Sequence, residues 1–320
     1  MLWETITVIR DLHRLHEIAS ILIRYGWGDL VRLLGLAHAL ERAGRILHWQ
    51  TTTEISRLAP AVRIRMALEE LGPTFIKFGQ LMATRVDMFP PEWITEFEKL
   101  HQRVPPSDYT LVHAELSLAL GRPPEEVFAK FEAEPMAAAS IAQVHRAVLP
   151  DGTDVVVKVS RPGIEAKIEA DLRILEHIAK LVESEMPDMR RYQPVRMIGE
   201  FRRSIRRELD MVREARNIDK FARNFAQDEN VVIPRVYWDY TSHAVNVQEE
   251  IRGIKGVNRE MLREAGLDPL LLGSRGSDVV LKMVLLDGYF HADPHPGNII
   301  VDPRTGTISF IDLGLVGQLT

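Results

Sequence analysis

His291-Ala292-Asp293-Pro294-His295-Pro296-Gly297-Asn298 is followed by an apolar run and then by Asp312-Leu313-Gly314. The first stretch reads as a loop. Residues 299–301 and 307–311, with Asp302-Pro303-Arg304-Thr305-Gly306 between them, read as a β-hairpin that returns Asp312 towards that loop. One carboxylate can orient an attacking oxygen there, while a second carboxylate and an amide offer the hard oxygen ligands that hold Mg²⁺ against a polyphosphate. A plain polar turn shaped by Pro294, Pro296 and Gly297 would explain any one of these residues. It does not explain the set.

Asp293 and Asn298 are five residues apart, the spacing of a protein-kinase catalytic loop, and Asp312 takes the place of the metal-binding Asp after the next hairpin. Such a site needs a lysine that pairs the phosphates. Residues 141–148, the turn Pro150-Asp151-Gly152 and residues 154–159 predict a β-hairpin with Lys158 among valines in its second arm. Just before it, Met136, Ala137, Ala138, Ala139 and Ser140 form a small-residue stretch that can cover a nucleotide and that leads into Ile141, Ala142, Gln143 and Val144 of the first arm. It is alanine-rich where a kinase loop is glycine-rich, so a positive φ within it is costly and the loop is expected to be stiff. A lysine snorkelling from an edge strand is the plainer alternative for Lys158.

Two long helices are expected next, over 164–185 and 195–224, the second carrying Glu208, Asp210 and Glu214. On one continuous helix Asp210 and Glu214 lie within about 40° of each other, and Glu208 and Glu214 about 120° apart. One helix could therefore present Glu214 to Lys158 and Glu208 to something else. Salt bridges with Arg203, Arg206, Arg207 and Arg213 are the ordinary reading for some of these acids. Residues 231–238 and 244–248 are expected to complete the small sheet, and Glu249-Glu250-Ile251-Arg252-Gly253 reads as a hinge whose backbone would meet an adenine edge.

Upstream, residues 1–56 have a helical pattern, broken at Gly26-Trp27-Gly28-Asp29, with a second run over 30–49. Arg10, Arg14, Arg24, Arg32, Arg42 and Arg45 with Trp3, Trp27 and Trp49 would suit an interfacial membrane helix. The alternative is that these apolar stripes pack on the rest of the protein. Gly72-Pro73 ends one helix and starts another, which sets Lys77 and Gln80 on one face. A further helix is expected over 106–120.

The 320 residues, 46% of them hydrophobic, are enough for a sizeable core. Forty basic against 45 acidic side chains, a formal charge of −5, argue against a general nucleic-acid binder. The absence of cysteine excludes a disulfide framework and a thiolate zinc site. The N-terminus reads as neither a secretory signal nor a transit peptide. No stretch reaches the roughly 18 uncharged apolar residues that suggest a membrane span.

Lys77-Phe78-Gly79-Gln80, residues 137–145, Val157-Lys158-Val159, Glu208-Leu209-Asp210, residues 291–298 and Asp312-Leu313-Gly314 together resemble the UbiB/AarF atypical kinase-like family from about residue 60 to 320. The run 71–91 is similar to that family's bacterial ubiquinone-biosynthesis branch. The resemblance implies an α+β fold, protein-kinase-like and bilobal, with an N-terminal helical extension and a truncated C-terminal lobe. The segments would be N-terminal amphipathic helices (1–56), a helical extension with the Lys-x-Gly-Gln motif (57–125), an N-lobe with an inserted helix (126–253) and the start of a C-lobe (254–320).

Carried over, Lys77 with Gln80 would gate the cleft against Glu208 and Asp210, and Lys158 would pair with Glu214. Residues 136–144 would cover ATP, Asp293 would be the catalytic carboxylate, and Asn298 and Asp312 would hold Mg²⁺. The implied function is an ATP- and Mg²⁺-dependent atypical kinase or ATPase supporting ubiquinone biosynthesis. The implied substrate is small and lipid-like or a quinone precursor, and the implied partners are a membrane surface and quinone-biosynthesis proteins. The implied location is peripheral, on the cytoplasmic face of the inner membrane. A nucleotide-gated lipid-binding module without phosphoryl transfer is the alternative, and a small-molecule phosphotransferase of the antibiotic-kinase type is a weaker one. Because the family's bacterial members carry apolar C-terminal helices that are not in these 320 residues, the chain is expected to be a piece of a longer polypeptide.

Overall fold

Alternating side chains make the central sheet. β1 (Lys130–Phe131), β2 (Ala137–Ala138), β3 (Ala142–Val148), β4 (Asp154–Ser160) and β6 (Val245–Glu249) form it, in the order β1-β3-β4-β6 with β2 also on β3; β5 (Val231–Val232) lies elsewhere. The β3–β4 hairpin is the one expected, with Val144 opposite Lys158 and Lys158 opposite Asn246. Its turn is closed by Gly152 at φ +88° and by the Thr153 amide donating to Asp151 Oδ1 at 2.9 Å. Val155, Val157, Val159, Val245 and Val247 are buried on one face against Val112, Leu116, Val127 and Phe128. Full burial of one such valine contributes roughly 1.5–3 kcal/mol of transfer free energy. The other face, one residue out of phase, presents Val156, Lys158, Asn246 and Gln248.

This is a computed structural model, describing residues 9–42, 44, 46–48, 53–100, 105–256 and 258–319. The chain divides into two compact units, residues 1–104, 139–141 and 163–205 in one and 105–138, 142–162 and 206–320 in the other. They interleave along the sequence, where the expected segments are consecutive. The α+β class holds.

In the second unit, the helix Tyr109–Leu120 starts three residues later than expected. Asp108 is its cap, accepting the Thr110 amide, and Gly121 at φ +73° ends it. The remaining strands are β7 (Ile254–Lys255), β8 (Tyr289–His291), β9 (Ile299–Val301), β10 (Ile308–Phe310) and β11 (Val316–Gln318). They make a β5-β10-β9-β7 sheet and a β8-β11 pair. The expected placing of residues 231–238 in the central sheet is corrected here. Val231 and Val232 pair in parallel with β10, and only Val236 bridges to Gln248. Pro234, without an N–H to donate, interrupts the run between them. Phe221, Phe225, Leu272, Met283, Tyr289, Val301, Phe310 and Leu313 form the core of this half.

The single helix expected over 195–224 is two, Pro194–Leu209 and Met211–Asn224. Asp210, at φ −86° and ψ 95°, leaves helical geometry and accepts the Arg213 amide at 3.2 Å as the cap of the second. The angular comparison of Glu208 with Glu214 on one continuous helix therefore does not apply.

The first unit is built from helices. Gly72 at φ +97° separates Pro60–Leu71 from Pro73–Ala83, as expected, with Pro73 in the first turn. Packing, the alternative to an interfacial membrane helix, is what Arg14 and Trp27 show. Arg14 donates to Asp171 at 2.6 Å and to the Leu71 carbonyl at 2.7 Å, and Thr74 donates to the same carboxylate. Burial pushes the Asp171 carboxyl up against the pull of Arg14. Trp27 meets Trp93 edge-on beneath the Arg63 guanidinium. Trp3, Arg45, Trp49 and the side chains of Arg10 and Arg42 lie outside the described residues. The second N-terminal run divides at Gly35, φ +66°, into Gly28–Leu33 and Leu36–Arg42. Among the described residues no helix is long and apolar enough to cross a membrane.

Candidate active site

Lys158, on β4, points away from the valine core. Its ammonium donates to Glu214 Oε1 at 2.8 Å and to Asp312 Oδ1 at 3.1 Å. The three residues come from a strand, a helix and a loop, 56 and 154 positions from the lysine. Burial alone would lower the Lys158 ammonium, but the Asp312 and Glu214 carboxylates outweigh it and hold the group above its ordinary range. For Glu214 burial is the larger influence and pushes its carboxyl up, against the pull of Lys158. Glu214 is 5% exposed and Asp312 57%, so one carboxylate anchors the lysine and the other remains open to solvent.

Asp312 has φ +58°, a left-handed conformation costly for a residue with a Cβ. Its neighbours hold it there. The Leu313 side chain is fully buried, and the Leu313 carbonyl accepts Asn217 Nδ2 at 2.9 Å. The Ala292 amide donates to Leu315 O, and the Ile311 amide to Asn298 O at 2.9 Å, tying residues 311–315 to the loop that carries Asp293.

That loop is closed by its own side chains. Asp293 N donates to His291 Nδ1 at 3.2 Å, and Asn298 Nδ2 donates to the Asp293 carbonyl at 3.2 Å. The Asp293 side chain is exposed, and His291 is buried, which lowers its imidazole pKa. Asn298 spends its amide nitrogen on the loop, so its Oδ1 is the atom that would meet a cation. Among the described residues no three His, Cys, Asp or Glu side chains cluster to hold a metal. A hard cation fits nevertheless, because Mg²⁺ needs only one or two carboxylates when phosphate oxygens and water complete its octahedron. Asp312 and Asn298 have the donor chemistry for that.

The chain matches the model of the ABC1 atypical kinase-like domain over residues 99–320. It belongs to that family. A Pseudomonas putida protein named Probable protein kinase UbiB is 42% identical over 317 residues, covering 97% of this chain and 58% of that protein. A Sodalis glossinidius protein of the same name is 38% identical over 315 residues, covering 98% and 58%. The chain thus spans little more than half the length of these relatives. A solved Mycobacterium tuberculosis structure, the Rv3197–erythromycin complex, covers 91% of this chain and 67% of its own at 23% identity and a TM-score of 0.57, a likeness of fold.

In this ABC1 chain the alanine loop is a tight hairpin. Ala137 pairs with Val144 and Ala138 with Gln143, and no residue of 136–144 has a positive φ. The cost expected for Ala is thereby avoided. Gln143 is buried: its Oε1 accepts the Ser107 amide at 3.0 Å and its Nε2 donates to His145 Nε2 at 2.8 Å. His145 Nδ1 must then carry the proton, which it donates to Glu132 O at 2.8 Å. Any part Gln143 has in nucleotide binding is therefore to hold the hairpin.

Of the cleft-gating set, Gln80 Nε2 donates to Leu100 O at 2.9 Å, and Lys77 is half-buried on the same helix, Pro73–Ala83. Glu208 is half-buried near the end of Pro194–Leu209, and Asp210 lies 3.5 Å from His243 Nδ1 while capping the next helix. Sequence reasoning missed Asn217, Tyr289, Asn246 and Gln248. Asn217 is one turn beyond Glu214, a spacing that offered a signal. Asn246 and Gln248 lie on the Lys158 face. Neither amide atom of the fully buried Asn246 has a hydrogen-bond partner, nor does Gln248 Oε1.

Proposed function

We propose that the chain binds ATP with Mg²⁺ and acts as an atypical kinase or ATPase supporting ubiquinone biosynthesis at a membrane surface. The observation that carries this reading is the convergence of Glu214 and Asp312 on Lys158 beside the loop of Asp293 and Asn298. Lys158, kept charged, meets the phosphates, and residues 136–144 cover them. Asp293 orients a hydroxyl or water and accepts its proton as the new P–O bond forms and the bond to the ADP oxygen breaks. Asp312 and Asn298 would hold the cation, which neutralises charge on the phosphates. The rate then comes from positioning and charge neutralisation, without a covalent enzyme intermediate.

The same reading pairs Lys77 with Glu208 and Asp210 to close the substrate side, and makes the acceptor small and lipid-like. It sets the chain on the cytoplasmic face of the inner membrane, beside other quinone-biosynthesis proteins. The names of the relatives and the family match support the kinase-like part. The test is ADP release by the chain with and without Mg²⁺. Turnover that survives Lys158→Ala combined with Asp312→Asn would exclude it.

A second reading, a nucleotide-gated module that binds lipid or quinone precursor without phosphoryl transfer, is favoured by one contact. Lys158 engages Asp312 Oδ1, so a cation that takes that same oxygen displaces the lysine from it. Vesicle or quinone-precursor binding that ignores nucleotide would count against gating.

A further inference from the structure

The helix Met211–Asn224 reaches the site twice. Glu214 takes Lys158, and one turn later Asn217, 6% exposed, spends both ends of its amide on other elements. Its Nδ2 donates to the Leu313 carbonyl at 2.9 Å, and its Oδ1 accepts the Tyr289 hydroxyl at 2.7 Å. The carbonyl of Leu313 can only accept, so the amide orientation is determined. Leu313 follows the left-handed Asp312, and Tyr289 opens β8, the strand that leads through His291 to Asp293. One buried side chain therefore ties the lysine-bearing arrangement to both acidic loops.

We propose that Asn217 is a positioning residue that holds Asp312 in its cation-binding orientation and couples it, through a single helical turn, to the Lys158–Glu214 pair. The inference rests on the reading that Asp312 meets Mg²⁺ with a nucleotide. A residue that only fills the core would weaken every bound state equally. A residue that aims Asp312 weakens the metal-dependent one.

Asn217→Asp is nearly isosteric, keeps an acceptor for Tyr289 and, when ionised, faces the Leu313 carbonyl with an acceptor in place of the donor. ADP binding is measured by calorimetry with and without Mg²⁺ on the chain, together with hydrogen exchange of the unliganded protein. The expected result is an apparent Mg²⁺ affinity lowered about tenfold, the loss of roughly one hydrogen bond, with metal-free ADP binding within about twofold of the parent. Amides of 311–315 exchange faster while those of β3 and β4 keep their rates. Tyr289→Phe, which frees only the far end of the amide, is expected to move Mg²⁺ affinity in the same direction by a smaller factor. Equal losses with and without Mg²⁺, or unchanged exchange at 311–315 in Asn217→Asp, overturn the proposal. A parent that binds no nucleotide overturns the underlying reading, and the proposal with it.

Discussion

Lys158 Nζ holds Glu214 Oε1 at 2.8 Å, and the carboxylate is the more deeply buried partner, 5% exposed against 17%. Removing the lysine leaves a buried acid without its cation. Lys158→Met is expected to cost on the order of 3 kcal/mol of stability, and adding Glu214→Leu to restore most of it. Urea unfolding of both variants checks this. A double variant as unstable as the single one would show that Glu214 does not need the lysine.

Two buried imidazoles make the fold sensitive to mild acid. Burial lowers the pKa of His145 and of His291 below its ordinary value, so the unfolded chain takes up protons that the native one refuses. Their contribution is complete above the unfolded histidine pKa of about 6.5 and is lost as pH falls from there through the folded values. Melting temperature should therefore drop below that pH. His145→Gln should make the slope shallower, and a slope equal to the parent's would remove His145 from the account.

Asn246 is fully buried on the Lys158 face without a partner for its amide. An apolar residue of the same size avoids that desolvation cost, so Asn246→Leu is expected to raise stability by about 1–2 kcal/mol. The urea midpoint should rise with an unchanged slope. A lower midpoint would mean the amide is satisfied in solution.

Gly253 lies close against β9 at Ile300 and Val301. A Cβ there would lie 2.4 Å from the Val301 carbonyl oxygen, and backbone cannot swing aside as a flexible side chain does. Gly253→Ala is expected to destabilise by about 1–3 kcal/mol, the usual cost of overpacking. Thermal melting measures it, and an unchanged melting temperature would show that β9 yields.

The β3–β4 hairpin, the loop of Asp293 and Asn298, the β9–β10 hairpin and the Gly72-Pro73 break were legible because each depends on turn residues and alternation within a short stretch. Lys158 and Asp312 stood out for the same reason, whereas Glu214 was singled out among the acids of its helix only by the family resemblance. The break at Asp210 was not: helical periodicity continues across it, and only the cap contact to Arg213 distinguishes two helices from one. The transfer of Val231 and Val232 to β10 depends on which sheet edge is available to them, a property of distant chain.

The amino-acid sequence by itself determined the class of fold, the family and the residue types of the site, because spacing, turns and apolar periodicity are local. Tertiary structure decided that Lys158 meets Glu214 and Asp312, that Asn217 spans Leu313 and Tyr289, and that Gln143 turns inward. Those contacts join strand, helix and loop across as many as 154 positions. They form only when the two hydrophobic cores bring these elements within hydrogen-bonding distance, a free-energy balance over the whole chain that no short window of sequence contains.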